Sequence, residues 1–144
     1  MINLLGFITS NHHKYLTFQI FLYTAIYRFL IYFVPIKYLK KHFGVENEES
    51  PDTESIEHYK YAKMVSVYVN RSADNTIWES KCLVRALTAK RLLKKKKIAC
   101  TLYLGVGKDN EKMIAHAWLR CGNFPVTGGD GSSYATVAKY KTQE

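Results

Sequence analysis

Hydrophobic positions change their spacing twice along this chain. Residues 18–35 read FQIFLYTAIYRFLIYFVP, almost continuously apolar and aromatic, with Arg28 as the only charge. Eighteen residues is the lower limit for a bilayer span. A central arginine is costly in lipid. The run is therefore expected to be a docking or core helix rather than a span. KYLKKHFG follows, and Gly44 is a helix stop. Residues 44–55, GVENEESPDTES, are acidic and hold Pro51, which predicts a loop or linker. From 56 to 70, Tyr59, Ala62, Val65 and Val69 recur at helical spacing and predict a second helix. NRSADNT then reads as a loop. A further stripe of Cys82, Leu83, Ala86, Leu87, Ala89 and Leu93 predicts a helix from 82 to about 97. Ser80 is placed to cap it through its hydroxyl. Arg85, Lys90, Arg91 and Lys94 should face outward. Lysines 94–97 fall in the last turn, where cations oppose the negative end of the helix dipole.

The period then drops to two. Cys100, Leu102, Leu104 and Val106 alternate with Thr101, Tyr103 and Gly105, predicting a strand. KDNEK turns the chain into a second strand over 113–121. Gly122-Asn123 turns it again into a third over 124–127. GGDGSS is a glycine-rich loop, and 134–140 a fourth strand. Helices first and an antiparallel sheet after them make an α+β fold. The chain divides into an N-terminal aromatic helical region with its acidic linker, 1–55, and a core, 56–144.

Composition narrows the class. With 144 residues and 47% apolar side chains, the chain can bury one modest core. The net charge of +9 suggests an anionic partner without choosing among peptide, membrane and nucleic acid. No nucleic-acid module is recognisable. Positive charge follows the apolar run and no small-residue cleavage site is visible, which argues against a signal peptide. The three cysteines, Cys82, Cys100 and Cys121, lack the number and spacing of a disulfide framework or a zinc site. Reduced thiols in a cytoplasm are the simpler expectation.

Cys82 and His116 carry the candidate chemistry. A helix from Cys82 is roughly 23 Å long, and the strand over 99–107 returns by roughly 27 Å. The hairpin then lies just past the helix N-terminus, and His116, a few residues down the return strand, comes level with Cys82. A helix N-terminus offers unpaired N–H groups and partial positive charge, which favour a thiolate, the nucleophilic form. An imidazole can take the thiol proton and later protonate a leaving amine. The Cys82 amide can donate to an oxyanion, with a second donor from 78–80. A group that orients the imidazole completes such a site. Register places Gly129 opposite His116, or Asp130 if a bulge shifts pairing by one. Asp130 is the candidate and Asn123 the alternative. Cys100, Cys121 and Trp118 are read as core, and His12, His13, His42 and His58 as surface. TGGDG is not a phosphate-binding loop, since no Gly-Lys-Ser/Thr follows.

Two blocks, SKCLVRALTAKRLL…IACTLYLGVGKD and AHAWLRCGN…VTGGDG, together with the upstream FLIYFVPIKYLKKHFG, resemble the lasso-peptide leader peptidases. These are the transglutaminase-like B proteins, in the short, split form that lacks a leader-binding domain. The resemblance covers nearly the whole chain. It implies a transglutaminase-like, papain-related fold and a cysteine peptidase that removes the leader from a lasso precursor peptide. It implies Cys82 as nucleophile and His116 as general base. An acidic residue on the next strand is implied as third member, matched imperfectly here by Asp130. A separate leader-recognition protein and an asparagine-synthetase-like macrolactam cyclase are implied as partners. No cofactor and no metal are expected. The location expected is cytoplasmic, with peripheral membrane contact through the aromatic segment. Competing expectations are a catalytically silent scaffold of the same complex and a transglutaminase-like acyl transferase.

Overall fold

The computed structural model describes residues 12–74 and 81–142. In chain order the elements are α1 (His12–Phe33), α2 (Ile36–Phe43), β1 (Val45–Glu46), α3 (Ile56–Asp74), α4 (Cys82–Lys95), β2 (Thr101–Asp109), β3 (Lys112–Cys121), β4 (Phe124–Thr127) and β5 (Ala135–Lys141). Helices precede an antiparallel five-stranded sheet, as the two changes of period predict. The sheet order is β1-β5-β2-β3-β4. β5 lies between β1 and β2, so the last strand ties the segment before α3 into the sheet.

Local chemistry explains the boundaries. Asn110 and Glu111, at φ 51° and 70°, form the two-residue turn between β2 and β3. Both central residues at positive φ match the right-handed twist of a hairpin. α2 stops at Phe43 because Gly44 adopts φ 125°, with the carbonyl of Lys141 packed where a Cβ would stand. The segment between α2 and α3 is anchored rather than free. Val45–Glu46 pairs with β5. The Ser50 amide and hydroxyl both meet Thr101 Oγ1, at 2.8 and 2.7 Å. Arg120 crosses over it and donates to the carbonyls of Ser50 and Pro51.

The helices cover one face of the sheet. Ala117, Leu119 and Cys121 of β3, Leu102 of β2 and Val126 of β4 are buried with Val84, Leu92 and Leu93 of α4 and Val65 and Val69 of α3. Fully burying such a side chain stabilises the fold by about 1.5–3 kcal/mol. α1 packs on α3 and α4 through Leu16, Ile20, Thr24 and Tyr27. Its opposite side leaves Tyr15, Phe18, Leu22, Ile26, Phe29 and Phe33 exposed. Over Tyr15–Phe33 this helix is long and apolar enough to cross a membrane, by length and composition.

One outward-facing prediction fails. Lys90 is only 5% exposed. It sits four residues after the buried Ala86, and its Nζ donates to the His42 carbonyl at the end of α2, at 2.9 Å.

Candidate active site

α4 begins at Cys82. The residue in the N-cap position is Lys81, with extended backbone and no side-chain cap. Ser80, the predicted cap, lies outside the described residues, as does the rest of the 78–80 segment expected to supply an oxyanion donor. The first intrahelical bond runs from the Arg85 amide to the Lys81 carbonyl, at 3.1 Å. The amides of Cys82, Leu83 and Val84 therefore precede the helical ladder. They present donors and partial positive charge around the thiol.

Cys82 is half-buried and free, while Cys100 and Cys121 are buried and free. Burial pushes the Cys100 thiol up to about 11 and the Cys121 thiol up to about 12. Neither is a nucleophile at neutral pH, in line with their reading as core. Cys82 differs by position. The β3–β4 ladder stops at Leu119↔Thr127. Two residues before Leu119 on β3, the Ala117 amide donates to Cys82 Sγ at 3.3 Å. Ala117 directly follows His116, so the helix start and the histidine stand level, as the lengths of α4 and the β2–β3 hairpin predict.

The imidazole of His116 belongs to a cluster of three aromatic rings with Tyr134 and Trp118. It stacks on Tyr134, with centroids 4.4 Å apart and planes 19° off parallel, and near Trp118 at 6.0 Å. Its Nε2 is 2.8 Å from the carbonyl oxygen of Gly128. A carbonyl only accepts, so Nε2 carries a hydrogen, which in the neutral imidazole leaves the lone pair on Nδ1. No described residue bonds Nδ1. The structure does not join the imidazole to Cys82 by a hydrogen bond; it brings Sγ to the next backbone amide.

Asp130 is not brought to His116. The bulge anticipated near the glycines exists: pairing shifts by one between Arg120↔Pro125 and Leu119↔Thr127. Continued, that shift would set Asp130 opposite His116. Instead the ladder ends, and Gly128, Gly129 and Gly131 all take positive φ and lead the chain away. Gly128 approaches β3 so closely that a Cβ there would fall 2.8 Å from Trp118 Cβ. This approach is what lets its carbonyl reach the imidazole. The exposed Asp130 carboxylate accepts from the Ser132 amide at 3.0 Å, a bond that holds it below the usual carboxylate range. The residue that fixes the tautomer is therefore Gly128, through its backbone. Sequence could not name it, because a carbonyl has no side-chain signature. Asn123, the alternative, makes no bond to the imidazole either; at the β3–β4 turn its backbone N–H donates to Tyr59 Oη at 3.3 Å.

Behind the site, Ser66 and Asn70 of α3 both donate to the Val126 carbonyl, and Asn70 accepts from Arg85. This network fixes the start of α4 against β4. On the open face of the sheet a cleft of about 290 Å³ is lined by Tyr103, Trp118, Arg120, Asn123, Asp130 and Ser132, among others. Tyr103 stacks flat on Trp118 at its floor, 5.5 Å between centroids. Among the described residues no group of three or more His, Cys, Asp and Glu could hold a metal ion.

A family model described as the transglutaminase-like superfamily matches residues 34–141, from the end of α1 to the end of β5. No curated protein and no solved structure matches the chain.

Proposed function

The chain belongs to the transglutaminase-like superfamily, which includes cysteine peptidases and acyltransferases, and on that premise we propose that it is the cysteine peptidase that removes the leader from a lasso-peptide precursor. The observation that carries the reading is the meeting of the α4 N-terminus with β3. Cys82 Sγ lies against the amide next to His116, and His116 is held in one tautomer by Gly128.

In this mechanism Nδ1 of His116 takes the Cys82 thiol proton, and the thiolate attacks the scissile carbonyl carbon. The oxyanion that forms accepts from the Cys82 amide, at the open end of α4. The imidazolium, still donating through Nε2 to Gly128, returns the proton to the leaving amine as the peptide bond breaks. Water then hydrolyses the thioester, giving up its proton through the same imidazole. The freed core passes to an asparagine-synthetase-like cyclase. A separate leader-recognition protein presents the substrate, and the exposed apolar row on α1 supports a docking role within that complex, or a peripheral contact with a membrane in the cytoplasm. Carbonate extraction distinguishes either contact from a membrane span: a docking or peripheral face is released at alkaline pH, a spanning helix is retained.

The test is a mass-spectrometric cleavage assay with precursor peptide and leader-recognition protein. Cys82→Ala should give no cleaved leader, and full cleavage by that variant sinks the mechanism. The superfamily also supports acyl transfer to an amine. Adding a primary amine to the same assay distinguishes the two, since a transferase yields the amide adduct in place of the acid.

A further inference from the structure

Away from Cys82, towards the other end of α4, the structure forms a small, partly open cavity of about 60 Å³. It lies between Tyr27 of α1, Lys41, His42 and Gly44 at the end of α2, and Leu87, Lys90, Arg91 and Lys94 of α4. Its charged lining is of one sign. Lys41, Lys90, Arg91 and Lys94 are cations, His42 is a fifth basic group, and no carboxylate lines it. The ion pairs shown by described residues lie elsewhere, at Glu54–His58, Asp52–Arg120 and Glu49–Lys139.

The buried member of this set, Lys90, is costly without an anion, while Lys41, Arg91 and Lys94 line the solvent-exposed side. Lys90 is nearly buried and spends one of its three hydrogens on the His42 carbonyl. Two remain for another acceptor. Burial, aided by Lys94 and Arg91, pulls Lys90 down to about 8. Burial and then Lys41, Lys90, Arg91 and Lys94 lower His42. The phenol of Tyr27, raised by burial, is neutral and able to donate. Arg91 lies over the Tyr23 ring at 5.7 Å, which holds its guanidinium at the cavity wall. An isolated buried cation costs several kcal/mol unless paired, and a polyoxyanion would pair several of these at once through charge-assisted bonds.

We propose that this cavity is a binding site for a tetrahedral oxyanion, namely inorganic phosphate or the phosphate group of a larger molecule whose remainder stays outside. Size supports the class. A single water needs roughly 10–15 Å³ of such space, so the cavity holds a group of a few heavy atoms and cannot enclose a nucleoside. The free anion and a phosphorylated lipid headgroup share this chemistry, and the exposed apolar row of α1 lies on the helix that supplies Tyr27. Lys90 is eight residues beyond Cys82, about 12 Å along the helix. The site is thus separate from the thiol and does not depend on the proposed peptidase activity.

The experiment is thermal denaturation of the full chain at constant ionic strength, with inorganic phosphate against matched chloride, followed by calorimetric titration. Phosphate should raise the unfolding midpoint where chloride does not, and Arg91→Gln and Lys94→Gln, both exposed positions, should each weaken phosphate binding at least tenfold. Phosphatidylcholine vesicles with and without phosphatidic acid distinguish the sources. Retention that requires phosphatidic acid and is lost in Arg91→Gln assigns the headgroup; phosphate binding without such retention assigns the free ion. A midpoint that moves equally in phosphate and chloride, or phosphate binding unchanged in both variants, overturns the proposal.

Discussion

Replacing Lys90 by methionine should make the protein more stable, and the gain should disappear as pH rises. The side chain is 5% exposed and surrounded by cations. Its pKa is pulled from the ordinary 10.5 to about 8, with burial as the main cause. At 1.36 kcal/mol per tenfold change in proton affinity, this is about 3 kcal/mol against the folded state at pH 7. The sign follows from proton counts. Between pH 8 and 10.5 the unfolded chain holds the proton more tightly than the folded one. Wild type therefore gains stability as pH rises through that window and loses it as pH falls towards 8. Methionine fills a similar volume without the charge but gives up the 2.9 Å bond to the His42 carbonyl, a loss of about 1 kcal/mol. The net expectation is a variant more stable by about 2 kcal/mol at pH 7, with the gap near zero at pH 10. Urea unfolding in phosphate-free buffer, followed by fluorescence of the two tryptophans, measures it. Comparing variant with wild type at each pH cancels the tyrosines and the other lysines. A gap that stays constant from pH 7 to 10, or a variant less stable at pH 7, refutes the reasoning.

His116→Ala should lower leader cleavage about 10²–10⁴-fold in kcat, whereas Asp130→Asn should change it by less than about threefold, because the carboxylate meets Ser132 and not the imidazole; parallel kinetics of the two variants decide it. Arg120→Met should destabilise the fold by about 3 kcal/mol, since Arg120 donates to the carbonyls of Ser50, Pro51 and Gly122 and to the hydroxyls of Tyr103 and Thr101; the urea midpoint reads this, and Arg120→Lys should restore little of it because an ammonium lacks the planar fork. Native alkylation at pH 7.5 followed by peptide mapping should label Cys82 alone, leaving Cys100 and Cys121 protected by burial and by their raised pKa values.

The sequence by itself determined what depends on near neighbours along the chain. The stripe from Cys82 to Leu93 and the alternation from Cys100 to Val106 specified α4 and β2, because a 3.6-residue or 2-residue period leaves one buried face. KDNEK and Gly122-Asn123 marked the turns, so strand lengths placed His116 level with Cys82 before any contact was known. Periodicity gave only the α+β class; the transglutaminase-like fold came from the resemblance that its two contiguous blocks carry. Tertiary structure alone decided what depends on groups without a residue signature or on distant packing. Gly128 holds the His116 tautomer with a backbone carbonyl. Asp130 misses the imidazole because three glycines turn the chain once the ladder ends. β5 inserts between β1 and β2, a pairing between residues far apart in sequence. Lys90, one turn after Ala86, is buried where the end of α2 meets α4, a contact that no local period encodes. Its chain neighbours Arg91 and Lys94 become parts of a single cavity only because α1 and α2 close over them.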